Sequence, residues 1–164
     1  MLVALLSDIH DHDTHLLLAL HAAKEKGCTH LLFMGDMAEL STFRTLREEW
    51  AHPIDLVFGN NEYECTSFAR MAAQCPQTTL HGTQASLELD GRKLFFCHLP
   101  RTAIQAAGSG QYDAVFYGHT HTPAVSIVGD QTLLVNPGEV YGRQNAPTIG
   151  VYDTTSNTAR IIPI

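Results

Sequence analysis

The sequence predicts an α/β fold with some antiparallel pairing, and three observations predict it. In the first half, short apolar runs alternate with amphipathic stretches, the order of strands and helices. In the second half, alternating runs are joined by turn pairs such as Asp90-Gly91, a hairpin signature. Five of the apolar runs end on a carboxylate, an amide or a histidine, which places polar chemistry at strand ends, where open α/β sheets bind ligands.

The elements follow in order. Leu2-Val3-Ala4-Leu5-Leu6 is nearly continuous apolar, as a strand covered on both faces should be. A helix is expected from about Thr14 to Lys26, with Leu16, Leu17, Leu20 and Ala23 inward, Asp13 or Asp11 as N-cap and Gly27 as its stop. Thr29 to Met34 reads as a strand, Ser41 to about Trp50 as a helix capped by Ser41, and Ile54 to Phe58 as a strand. Tyr63 to Gln74 reads as a helix with Phe68, Met71 and Ala72 inward, and Thr78 to His81 as a short strand. A hairpin is expected from Gln84–Leu89 and Arg92–Cys97, then a short helix over 101–107 and a strand from Asp113 to Tyr117. A second hairpin over 125–128 and 132–135, turning at Gly129-Asp130, and strands at 149–152 and 159–162 close the chain.

The strand ends carry the chemistry. Asp8-Ile9-His10 puts an Asp oxygen and a His nitrogen two residues apart, on the same side of an extended chain. Asp36 follows Gly35, and its carboxylate could bridge two cations through its two oxygens, or cap a turn. Asn60 and Asn61 follow Gly59; Asn60 offers a neutral carbonyl oxygen that suits a hard cation. His98 ends the returning strand of the first hairpin. Gly118-His119-Thr120-His121 ends the next strand, and Gly118 permits a turn that aims both imidazoles at one centre. Several polar residues keep two readings. His12 is a substrate-side group or a solvated loop imidazole. Glu62 orients Asn61 or caps the next helix. Arg101 and Arg143 are anion contacts or loop residues. His15 and His21 read as surface residues, and His30 and His81 as structural ones.

This series, D-x-H, G-D, G-N-x-E, H and G-H-x-H in that order from Asp8 to about Gly138, resembles the calcineurin-like metallophosphoesterases, and within them the small single-domain phosphodiesterases. The resemblance implies one domain over 1–164, built as two packed mixed β-sheets flanked by helices in four α/β/β/α layers. It implies two divalent transition-metal ions, manganese first, with iron, zinc, nickel or cobalt as alternatives. One would be held by Asp8, His10, Asp36 and His121, the other by Asp36, Asn60, His98 and His119. It further implies a phosphodiesterase in which a hydroxide shared by the two ions attacks phosphorus in line. Three positions depart from the family pattern. Asn61 stands where many members have a proton-donating His; an amide has no titrating proton near neutral pH but can contact a phosphate oxygen. Leu99-Pro100 replaces a Gly-His after His98. Glu139 follows Asn136-Pro137-Gly138 where a small residue is usual. The same resemblance leaves two rivals: a non-catalytic interaction scaffold of this fold, and a phosphomonoesterase or nucleotide pyrophosphohydrolase.

Composition bounds the rest. The 164 residues suffice for one sizeable core, with 45% hydrophobic and only 16% charged residues, below the usual quarter or so. Ten histidines in a chain of formal charge −7 favour a metal hypothesis and disfavour nucleic-acid backbone binding, which wants a basic face. The expected partner is a small-molecule phosphodiester, with no membrane and with a homo-oligomer left open. Four cysteines without C-x-x-C spacing read as reduced thiols, Met1 to Leu6 is too short for a signal peptide, and no run could span a bilayer, so a cytoplasmic location is expected.

Overall fold

A computed structural model describes residues 1–164. The elements are β1 (Leu2–Leu6), α1 (Asp13–Glu25), β2 (His30–Phe33), α2 (Leu40–Glu49), β3 (Ile54–Leu56), α3 (Cys65–Gln74), β4 (Thr78–Leu80), β5 (Gln84–Leu89), β6 (Arg92–Cys97), α4 (Pro100–Gly108), β7 (Ala114–Phe116), β8 (Ala124–Val128), β9 (Thr132–Asn136), β10 (Thr148–Asp153) and β11 (Thr158–Pro163). They form a six-stranded sheet, β11-β10-β1-β2-β3-β4, and a five-stranded sheet, β5-β6-β7-β9-β8. Both are mixed: β1 to β4 run parallel, and β10 lies antiparallel between β1 and β11. In the second sheet β6, β7 and β9 run parallel between the antiparallel edges β5 and β8.

Three apolar clusters make the four layers. The strand period of two sends Val3 and Leu5 one way and Ala4 and Leu6 the other. Val3 and Leu5 meet Leu94, Phe96, Phe116 and Val135 between the sheets. Ala4 and Leu6 pack under α1, α2 and α3 with Leu16, Leu20, Phe43, Trp50 and Phe68. On the far side, Phe95, Val115 and Leu134 are covered by Ala103 and Ala107 of α4. The layers are therefore α/β/β/α. No helix is long and apolar enough to cross a membrane.

Local expectations shift in informative ways. Leu17 is 44% exposed and Ala19 is buried in its place. The helical period sets residues 16, 19, 20 and 23 on one face and turns 17 about 100° away. The N-cap of α1 is neither Asp11 nor Asp13 but His12, whose Nδ1 accepts from the His15 N–H at 3.2 Å. Asp11 works elsewhere: its Oδ1 accepts from the Glu39 N–H and the Thr42 hydroxyl at 2.8 and 3.1 Å. It thus holds the first turn of α2, where Ser41 lies inside the helix and Glu39 provides no side-chain cap. The third strand stops at Leu56, and α3 starts at Cys65, two residues later than expected. His30 and His81 are structural, as both reach the Asp55 carboxylate, at 2.7 and 2.6 Å, and tie β2 and the end of β4 to β3.

The ring of Phe116 meets that of Tyr152 across the two sheets, centroids 5.1 Å apart, and both residues are fully buried. Phe116→Ala is expected to cost about 3–5 kcal/mol of unfolding free energy through lost transfer and a residual cavity. Equilibrium urea unfolding checks it.

Candidate metal centre

The C-terminal ends of β1, β2, β3, β6 and β7 converge at one rim of the sandwich. Backbone hydrogen bonds fasten the loops that leave them: Asp8 N–H to Gly35 O at 3.0 Å, His10 N–H to Asp36 O at 3.1 Å, Gly118 N–H to His98 O at 3.1 Å. The approach is close enough to need glycine. A Cβ on Gly59 would overlap the Asp36 carboxylate, and one on Gly118 would overlap the Ser7 hydroxyl and come within 2.8 Å of Asp8 Oδ2. Asp8, His10, Asp36, His119 and His121 all hold positive φ, at 56, 45, 62, 69 and 58°. Asp and Asn, and to a degree His, tolerate this region better than other residues, yet it is sparsely populated and characteristic of functional sites. The left-handed turns send consecutive ligands back toward the rim instead of onward along the strand.

The distances identify what the rim could hold. His98 Nε2 stands 3.4 Å from Asp36 Oδ2 and 3.0 Å from Asn60 Oδ1. His119 Nδ1 stands 2.9 Å from Asn60 Oδ1 and 3.2 Å from His98 Nε2. On the other side, His121 Nε2 is 3.4 Å from Asp8 Oδ1, and His10 Nε2 is 3.9 Å from Asp8 Oδ1 and 3.6 Å from Asp36 Oδ2. Two ligand atoms each bonded at about 2.1 Å to one cation lie roughly 3.0–3.4 Å apart. Several of these pairs have that spacing. Asp8 Oδ1 and His10 Nε2 are buried with no hydrogen-bond partner, an arrangement rare in folded proteins unless an ion or another ligand is expected. His98 Nδ1 is 2.7 Å from the Met34 carbonyl, which can only accept. Neutral His98 is therefore protonated on Nδ1, and its Nε2 lone pair faces the Asn60 Oδ1 lone pairs. A cation between them would satisfy both.

Residues 1–157 match the family model of the calcineurin-like phosphoesterase superfamily domain. The chain belongs to the calcineurin-like phosphoesterase superfamily. It is 30% identical over 165 residues to phosphodiesterase MJ0936 of Methanocaldococcus jannaschii, across 99% of this chain and 98% of that protein. The solved structure of an archaeal phosphodiesterase matches with a TM-score of 0.92 at 28% identity, over 100% of both chains. The phosphoesterase YfcE of E. coli matches over 100% of both chains at a TM-score of 0.70 and 20% identity, a likeness of fold alone. The family and the 30% identical phosphodiesterase together support a hydrolase of phosphoesters, and the family implies divalent metal ions. The donor set of this phosphoesterase, carboxylate, amide and imidazole without thiolate, fits them.

The carboxylates are tuned by burial and by their donors. Asp8 is fully buried and its carboxyl is pushed up by desolvation, against the nearby His98, Ser7 and His121. Burial would also raise Asp36, but contacts from His98 and Asn61 outweigh it and hold the carboxyl well below the ordinary range. Burial would lower His98, yet Asp36 and Asp8 hold it above its usual value. Asp36 does not present both oxygens. Its Oδ1 accepts the Asn60 and Asn61 backbone N–H groups at 2.8 and 3.0 Å. Oδ2 alone faces both His10 and His98.

Of the sequence candidates, Asp8, His10, Asp36, Asn60, His98, His119 and His121 all line this rim. Two triplets, Asp8-His10-His121 and Asp8-Asp36-His98, have ligand atoms mutually within 4.8 Å. Asp8 therefore joins both triplets. Asn61 is also here, its Nδ2 donating to Asp36 Oδ2 at 2.6 Å while its Oδ1 accepts from the Tyr63 hydroxyl at 3.3 Å. His12 is drawn off: its Nδ1 is used in the cap of α1 and its ring stacks on His15 with centroids 3.8 Å apart. His15 is not a free surface residue, since its Nδ1 reaches the Val140 and Tyr141 carbonyls at 3.2 and 3.0 Å. Glu62 neither orients Asn61 nor caps α3; its two oxygens accept the Met37 and Gly59 N–H groups at 2.5 and 2.6 Å, clamping the loops after β2 and β3 together. Arg101 lies exposed on α4 and Arg143 exposed in the loop before β10.

Two residues were missed by sequence reasoning. Tyr141 sets its ring 5.4 Å from that of His10 and 6.0 Å from that of His12, forming an aromatic wall. Glu139 places Oε2 2.6 Å from His121 Nδ1 and is fully buried. Its position directly after Asn136-Pro137-Gly138, where a small residue is usual, was the available signal.

Gly118→Ala is expected to displace Asp8 through the Ser7 contact and to abolish stoichiometric divalent-metal binding with little change in secondary structure. Metal analysis beside circular dichroism checks both halves, and full metal content in the variant would refute the close-approach argument.

Proposed function

We propose that this chain is a phosphodiesterase with a binuclear metal centre. One divalent cation would lie among Asp8, His10, Asp36 and His121, and the other among Asp36, Asn60, His98 and His119. The observation that carries this reading is Asp36 Oδ2, 3.6 Å from His10 Nε2 on one side and 3.4 Å from His98 Nε2 on the other. One buried oxygen thus addresses both halves of the ligand set. Hard oxygen and imidazole donors suit manganese first, with iron, zinc, nickel and cobalt as alternatives. When bound, such ions supply positive charge to the phosphoryl oxygens and activate the attacking water.

The chain's own side chains do the rest. Asp8 and Asp36 keep the centre anionic enough to hold two cations, and the short strand-end loops fix their distances. Asn61 donates one N–H to Asp36 and has a second for a phosphoryl oxygen. It orients the ester but cannot protonate a leaving group, so esters with good leaving groups are favoured. A cavity of about 110 Å³ borders Asn60 and His98 and is lined also by Thr83, Gln84, Leu99 and Thr102. It is far below the 300 Å³ or so of a pocket for a whole drug-sized ligand, so it suits one ester substituent. Its walls carry no Lys, Arg, Asp or Glu, which favours a neutral alcohol group there. That second substituent is what separates a diester from a monoester. A larger cavity of about 380 Å³ lies between Lys26 and β10–β11 and shares no residue with the site. The complete ligand set favours catalysis over a scaffold role, and the 30% identical phosphodiesterase favours diesters over monoesters.

Two experiments test this. Metal-stripped protein reloaded singly with Mn, Ni, Zn, Co or Mg should cleave an aryl phosphodiester well above the matching aryl monoester. Equal rates would refute the diester preference, and no turnover with ions bound would favour the scaffold. Asp36→Ala should lose both ions, since its oxygen faces both ligand groups; a retained stoichiometry of two, by metal analysis, would refute the shared role.

A further inference from the structure

Glu139 is a buried carboxylate beside the ligand cluster with both oxygens engaged, one by a histidine of the cluster and the other by backbone N–H groups. Oε2 stands 2.6 Å from His121 Nδ1. Oε1 accepts two backbone N–H groups, those of Gln144 and Asn145, each at 2.6 Å. The Asn145 side-chain amide returns to the His121 carbonyl at 2.9 Å. The carboxylate is fully buried. It joins a histidine of the cluster to the loop between β9 and β10, the same loop that carries Tyr141 against His10.

We propose that Glu139 is a positioning residue that fixes His121 as its Nδ1–H tautomer, so that the Nε2 lone pair is presented beside Asp8, and that locks the 141–147 loop to the same carboxylate. An ionised carboxylate only accepts, so the His121 nitrogen facing Oε2 carries the proton. Neutral His121 then has its lone pair on Nε2, 3.4 Å from the unpartnered Asp8 Oδ1. A carboxylate behind a ligating imidazole also raises the basicity of the ring and holds its plane. His98 receives the same service from a carbonyl, that of Met34. The two histidines are thus fixed by different groups, and only His121 is fixed by a charged one.

Glu139→Gln separates this role from simple packing, because it keeps size and shape. The two loop N–H groups require an acceptor, so the glutamine oxygen turns to Gln144 and Asn145. Its NH₂ is left facing His121 Nδ1, which must then accept, and the neutral ring moves its proton to Nε2. The lone pair beside Asp8 is lost with no change in bulk.

The experiment reads the tautomer in metal-free protein at alkaline pH by long-range ¹H–¹⁵N correlation of the histidine rings. His121 is expected as Nδ1–H in the wild type and Nε2–H in Glu139→Gln. An Nε2–H ring in the wild type, or the same tautomer in both proteins, overturns the proposal. The wild-type spectrum alone suffices for the first outcome, whatever the stability of the variant. The consequence for metal rests on the binuclear reading: Mn²⁺ titration followed by calorimetry should show one site weakened about 10- to 100-fold in Glu139→Gln, and unchanged affinities at both sites overturn the positioning role. Failure of the wild type to bind Mn²⁺ would count against the binuclear reading alone, because the tautomer is read with no ion present.

Discussion

The Asp36 carboxylate is the point on which the rim depends. It is almost wholly buried at the end of β2, yet its carboxyl is held well below the ordinary range, because two backbone N–H groups, an amide and an imidazole converge on it. Removing it would leave those donors unpaired in a place with little access to water, a cost that falls on three loops at once. Its two oxygens have divided tasks. Oδ1 organises the Gly59-Asn60-Asn61 turn, and Oδ2 is left to look into the centre between His10 and His98. The turn that supplies Asn60 as a ligand candidate is therefore built on the residue that shares the centre with it.

The surrounding backbone is arranged to the same end. Parallel strands deliver their C-terminal ends to one side of the sandwich, and the loops there are short and mutually hydrogen-bonded. Five ligand candidates hold left-handed backbone conformations that cost about 1–3 kcal/mol each. The three apolar clusters between the layers supply the stability against which that strain stands. Rigidity in the layers and strain at the rim are two sides of one design, which holds the candidate ligand atoms 2.9–3.9 Å apart. The Glu62 clamp and the Glu139 link act outside the cluster, fixing loops and ring orientation instead of offering ligand atoms.

Much of this was legible in the chain. Continuous apolar runs gave the buried strands because no polar residue could be tolerated on either face, and Asp90-Gly91 gave a hairpin because that pair accepts positive φ. The glycines of G-D, G-N and G-H mark where loops pass too closely for a Cβ, a constraint written into the sequence as directly as any charge. Reading Leu17 as buried failed because three consecutive leucines carry no periodicity of their own; only the sheet beneath decides which side is inward. Caps were misread for a related reason. The start of a helix can be held by a residue distant in sequence, and Asp11 holds that of α2 from across a loop through the Glu39 N–H and the Thr42 hydroxyl.

What the sequence determined by itself was the set of candidate ligand types, their order along strand ends, and the α/β class, since these follow from residue chemistry and from periodicity within a few residues. What tertiary structure decided was partnership. Which oxygen of Asp36 is free, what stands behind His121, that His12 caps a helix, and that Tyr141 walls the site are all settled by contacts between residues far apart in the chain. Hydrogen bonds and ring contacts act over a few ångströms of space, and the packing of the two sheets alone brings those groups within that range.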